Sequence, residues 1–161
     1  YRDAVMPTDA ERSVKGYLLF PSADDPALLD HALDRARLAA RDAIERGEGQ
    51  WLLWFIGSQG MAEYRSGNYA EAVTQLAKAA KDDNLYISSL ALPFQAMAEF
   101  AQGNHERAGE VLAQAQEAAA RLPEPGSEEY LREWTDTLTT QIALREAERV
   151  ICGDGGTQSD Q

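Results

Sequence analysis

Met61-Ala-Glu-Tyr-Arg-Ser-Gly-Asn-Tyr-Ala-Glu-Ala-Val-Thr-Gln-Leu-Ala-Lys-Ala79 returns further along the chain as Met97-Ala-Glu-Phe-Ala-Gln-Gly-Asn-His-Glu-Arg-Ala-Gly-Glu-Val-Leu-Ala-Gln-Ala115. Nine of the nineteen paired positions are identical and Tyr64 stands opposite Phe100, where unrelated segments would share about one by composition. The two copies lie 36 residues apart, and each holds two helical patterns broken by Gly-Asn. A period in the mid-thirties with that content is the signature of stacked helix-turn-helix units.

Working outward, the first unit spans about 51–82. Trp51, Trp54, Phe55, Met61, Ala62 and Tyr64 lie in a first helix that ends before Gly67-Asn68, a left-handed turn. Tyr69 to Lys81 pairs with it through Ala72, Val73, Leu76, Ala79 and Ala80. The second unit spans about 87–121, with helices from Ile87 to Gln102 and from His105 to Arg121. Pro93 is tolerated there in or near a first turn; an earlier start would require it to kink the helix. Upstream, Asp25-Pro26 opens a helix over 26–46 whose Leu28, Leu29, Ala32, Leu33, Ala36, Ala39, Ala40 and Ala43 recur at helical spacing. Downstream, Pro123-Glu-Pro125-Gly126 punctuates the chain before a last helix over 127–150, with Leu131, Trp134, Leu138 and Ile142 on its apolar face. Leu144, Ala147 and Ile151 fall off that stripe, so the helix end either buries a second face or unwinds.

Thr8-Asp-Ala-Glu11 has the reciprocal capping pattern of a short lead-in helix over about 9–19. The organisation is therefore a lead-in segment 1–24, a helical domain 25–151 and a polar tail 152–161. Alanine-rich runs and the lack of any β-alternating segment make the fold class all-α: antiparallel hairpins stacked side by side, flanked by capping helices 26–46 and 127–150. The flanking helices are needed because a two-unit stack leaves an apolar face at each end.

The chain has 161 residues, 44% of them hydrophobic, and a formal charge of −12. With Lys and Arg scattered singly, that balance argues against nucleic acid and anionic membrane as partners, because both demand a cationic patch. No apolar run reaches the roughly 18–20 residues of a spanning helix. One cysteine, Cys152, suits a reducing, cytoplasmic setting. The opening on Tyr1 reads as the start of a segment cut from a longer chain, so targeting is not legible.

Chemistry is absent from the pattern. His31 has Asp30 and Asp34 nearby, but His105 lies in another helix, and no ligand spacing for a metal is formed. Ser58, in Gly57-Ser-Gln-Gly60, lacks the strand-turn-helix setting of a nucleophile elbow, and its glycines fit close helix packing. Asp24-Asp25, Asp82-Asp83 and Glu128-Glu129 stand at helix starts and breaks, where carboxylates complement a helix dipole. Gly153-Asp-Gly-Gly156 closes a helix instead of opening one and is not a phosphate cradle. No enzyme, metal or cofactor is expected.

The pattern Gly60-x-Ala62-x-Tyr64-x-x-Gly67-x-Tyr69-x-x-Ala72-x-x-x-Leu76-x-x-Ala79 resembles a tetratricopeptide repeat (TPR). Ala96, Ala98, Phe100, Gly103, Ala108, Leu112 and Ala115 fill the corresponding places in the second copy, with His105 replacing Tyr69. Both copies lack the usual closing proline, and Gln59 and Gln95 stand where leucine is common. More narrowly, Leu90 to Ala115 followed by Trp134 and Ile142 to Ile151 is similar to the C-terminal repeat segment of some bacterial eukaryotic-like serine/threonine protein kinases, over roughly 24–151.

The resemblance implies a short right-handed solenoid, non-catalytic, with any kinase upstream. It also implies a concave face lined by the first helix of each unit: Trp54, Met61, Tyr64 and Arg65, then Leu90, Phe94, Met97 and Ala101. Such a face would dock an apolar peptide or protein partner, and replacing Met61 and Met97 by Glu would abolish capture while sparing helicity. The same residues at the same spacing equally describe a core. The alternative is a self-associating or structural element whose concave face is filled by its own capping helix or by another copy. Trp51 and Trp134 are expected to pack helix ends together, and Arg65 alone is too little cation for a carboxylate clamp.

Overall fold

The structure is a computed structural model that describes residues 15–19, 26–47 and 49–153. The capping pattern at Thr8 to Glu11, the Asp25 cap and the tail beyond Gly153 lie outside the described residues. The described residues are helical without a strand. A short helix, α1, covers 15–19, and six longer ones follow: α2 (Pro26–Arg46), α3 (Gly49–Arg65), α4 (Tyr69–Ala79), α5 (Leu85–Ala101), α6 (His105–Ala120) and α7 (Glu128–Cys152).

Among the six longer helices, contacts run only between neighbours and next-but-one neighbours. α2 packs on α3; α3 on α4 and α5; α4 on α5; α5 on α6 and α7; and α6 on α7. The second hairpin thus stacks on the first, and α7 sits on α5 and α6 as α5 sits on α3 and α4. One continuous core of leucine, methionine, phenylalanine and alanine runs through the stack from α2 to α7.

Both hairpin turns are built alike, which gives the sequence repeat its physical content. Gly67 and Gly103 take positive φ, 79° and 84°, ending their helices in a left-handed residue that glycine adopts without steric cost. The Gly67 N–H then donates to the Tyr64 carbonyl and the Asn68 N–H to that of Glu63, and the Gly103 and Asn104 N–H groups bond Phe100 and Glu99 in the same way. This is the bonding of a Schellman motif. The Asn68 and Asn104 side-chain amides each donate to the carboxylate of Glu63 and Glu99 at 2.8 Å. Glu63, 1% exposed, is further held by the forked guanidinium of Arg37 at 2.7 and 2.9 Å. The repeated Glu and Asn therefore fix the turn.

Gly60 lets α3 and α4 approach. A Cβ there would fall 2.6 Å from Leu76 Cγ and 3.2 Å from the Leu76 backbone nitrogen. Gly60→Ala is expected to cost about 1–3 kcal/mol by overpacking, read as a lower urea midpoint at unchanged slope.

α5 departs from the sequence reading. It starts at Leu85, two residues before the expected Ile87, so Pro93 lies in the third turn. The helix runs through it unbroken from Leu85 to Ala101. Proline in a helix interior costs about 3 kcal/mol, here offset by burial: Ile87 and every residue from Ser89 to Glu99 are out of solvent. Packing decides where local propensity would not.

α7 corrects the expected apolar face. Leu131, Trp134 and Leu138 are 68%, 52% and 40% exposed, and the buried residues are Thr137, Thr140, Ala143 and Ala147. Ile142, Leu144 and Ile151 are partly buried against the core, so the helix end does bury a second face. The reason is close approach to α5 and α6, which small side chains permit and a tryptophan would prevent. The helix bends at Glu133 (φ −113°, ψ 21°). Trp51 and Trp134 are both exposed and do not clamp the helix ends as expected. One orphan remains on the buried face, because the Thr137 hydroxyl is shut from solvent without a hydrogen-bond partner. Thr137→Val removes that unpaired group at nearly constant shape, and we expect stability to rise by about 1 kcal/mol, measured as a higher thermal midpoint.

Candidate interaction groove

α3 and α7 are not packed on one another; both pack on α5. They form the two walls of a groove whose floor is α5. On the α3 side Trp54 and Met61 line one small cavity with Leu90 of α5 and Lys15, Tyr64 and Arg65 pack on Phe94 of α5, and Met97 is buried in the continuous core. Ala101, at the end of α5, is exposed outside it.

The site is not open. Met61, Leu90, Phe94 and Met97 are buried, and Trp54 and Tyr64 are partly so. The cover is α1. Leu18 and Leu19 are buried in the same core that holds Met61, Leu90 and Met97. The Leu18 carbonyl accepts from Arg65 Nε at 2.8 Å, and Lys15 Nζ lies 4.2 Å from the Trp54 ring centroid and 3.7 Å from Asp136 Oδ1 of α7. One end of α1 thus touches Trp54 and Asp136, and the other meets Arg65 beside Glu146. It runs lengthwise between the walls.

With Met61 and Met97 in the core, their replacement by Glu can no longer be expected to spare helicity.

Arg65 joins three elements. Its two terminal nitrogens donate to both Glu146 carboxylate oxygens at 2.5 and 2.6 Å, and the guanidinium lies 5.1 Å from the Phe94 ring centroid and 5.4 Å from that of Tyr64. Tyr64 stacks edge-on to Phe94 at 5.8 Å. Burial pushes the Tyr64 hydroxyl above its ordinary value, with the Arg65 charge acting in the opposite direction. Past Lys15 the groove widens into a recess of about 520 Å³ between Trp51, Trp54 and Phe55 of α3 and Arg132, Asp136 and Thr139 of α7.

Sequence reasoning missed Lys15, Leu18, Leu19, Asp136 and Glu146. The adjacent leucines after Lys15 were the available signal, since an apolar pair in a lead-in segment needs something to cover it. His31 is exposed, His105 packs edge-on against Phe100 at 4.7 Å, and Cys152 is exposed at the end of α7. No cluster of His, Cys, Asp and Glu suited to a metal occurs among the described residues, and none of their helices is long and apolar enough to cross a membrane. No family model, curated protein or solved structure matches the chain.

Proposed function

We propose that this chain is a non-catalytic protein-interaction module of tetratricopeptide type that docks a helical segment of a protein partner in the groove between α3, α5 and α7. The observation that supports this reading is the occupant: a short helix outside the stack lies in the groove, with two leucines buried in the core and polar contacts to both walls. A surface that accepts its own chain in this way has the shape and chemistry of a helix-in-groove receptor. The TPR-like repeat, the acidic balance and a cytoplasmic setting fit an adaptor role, and the kinase resemblance makes the appendage of a serine/threonine kinase its natural context. The reading is tested by panning a displayed library of random short peptides against the intact chain. Binders should be lost in Trp54→Ala and kept in Leu131→Ala; binders indifferent to Trp54 overturn it.

A second reading, self-association, is favoured by the exposed Leu131, Trp134 and Leu138 of α7. A sedimentation profile that shifts with concentration and is abolished by Leu131→Asp with Trp134→Asp would support it.

A further inference from the structure

We infer that the groove selects helices carrying Lys-x-x-Leu-Leu, and that residues 15–19 are a resident copy of that signal which a partner must displace. The inference rests on the interaction-module reading and gives it a ligand chemistry. Lys15, Leu18 and Leu19 stand at i, i+3 and i+4, one face of a helix. Each of the three has its own complement. The leucines are buried in the apolar core that also holds Met61 and Leu90, and Met61 and Leu90 line a small cavity beside Lys15. Lys15 has the Trp54 ring and the Asp136 carboxylate, an aromatic face and an anion that together favour an ammonium. Arg65, held in place by Glu146, donates to the Leu18 carbonyl, a contact with a main-chain acceptor that the last turn of any helix offers. Arg65 therefore positions the helix, while the leucines and the lysine select it. The acidic balance of the chain, with 27 acidic against 15 basic residues, further favours a cationic segment.

A tethered segment faces its groove at an effective concentration in the millimolar range, so every competitor's affinity is scaled down by the fraction of time the groove stands empty. The test is a fluorescence-anisotropy titration of a labelled peptide spanning residues 9–22 against the full chain and its L18D/L19D variant. The variant, its own α1 ejected, should bind at least about tenfold more tightly than the intact chain, and a peptide bearing the same two aspartates or K15E should bind neither. An L18D/L19D chain with the helicity of the parent that fails to bind the peptide overturns the inference, as does equal binding of the aspartate peptide. Should L18D/L19D lose helicity, K15E in the chain decides instead: it sets a carboxylate against Asp136 without removing core volume, and unchanged peptide affinity overturns the inference. Library binders that still depend on Trp54 would then show that the general reading survives while the Lys-x-x-Leu-Leu selectivity falls; loss of both removes the two together.

Discussion

Arg65→Met is expected to destabilise the chain by about 3–5 kcal/mol, a large share of the total for a domain this size. The side chains of Arg65 and Glu146 are only 9% and 12% exposed and meet through two parallel N–H···O bonds. Removing the guanidinium leaves a carboxylate shut from water with no cation, and strips the Leu18 carbonyl of its donor. Desolvation of the abandoned charge then dominates over the modest value of the pair itself. Arg65→Lys should recover only part of the loss, because a single ammonium cannot serve both Glu146 oxygens and the Leu18 carbonyl in the geometry of the planar fork. The double variant R65M/E146M should be more stable than R65M alone, since it removes both charges. Urea denaturation of the parent, R65M, E146M and R65M/E146M gives the coupling energy directly. A loss below about 1 kcal/mol for R65M would mean that the pair behaves as a solvated surface bridge, and that α1 does not close the groove.

The parts of the fold legible in the sequence were those set by local chemistry. Gly67-Asn68 and Gly103-Asn104 mark turns because only a residue without a Cβ enters positive φ freely, and both turns form where expected. Helix Pro26–Arg46 also forms over the expected residues. What failed was the choice of buried face in α7. Reading periodicity gives weight to large apolar side chains and so picks Leu131, Trp134 and Leu138. The distance between helices selects instead for Thr137, Thr140, Ala143 and Ala147, which no hydrophobicity pattern singles out. Glu63 and Glu99 were invisible for a related reason: a carboxylate reads as surface until its Asn and Arg partners are known. The seven groove residues on α3 and α5 were named from the repeat resemblance, whereas the segment against that groove was not foreseen, because nothing local to residues 15–19 specifies where in the stack Leu18 and Leu19 are buried.

Met97→Glu tests the buried core most severely. Met97 is fully buried on α5, the helix that is out of solvent along most of its length. A carboxylate there would have to be desolvated without a partner, at a cost of several kcal/mol in real proteins, on top of the lost thioether packing. Against a net stability of about 5–15 kcal/mol, this should abolish cooperative folding or lower the thermal midpoint steeply, whereas Met97→Leu, close in volume, should cost less than about 1.5 kcal/mol. Circular dichroism through a thermal scan separates the two. The opposite result is equally informative: a Met97→Glu chain with the helicity and midpoint of the parent requires water to reach the interior face of α5, and so a core that opens readily around it. The stability of one buried methionine thus reports how firmly the helical core is closed around α5.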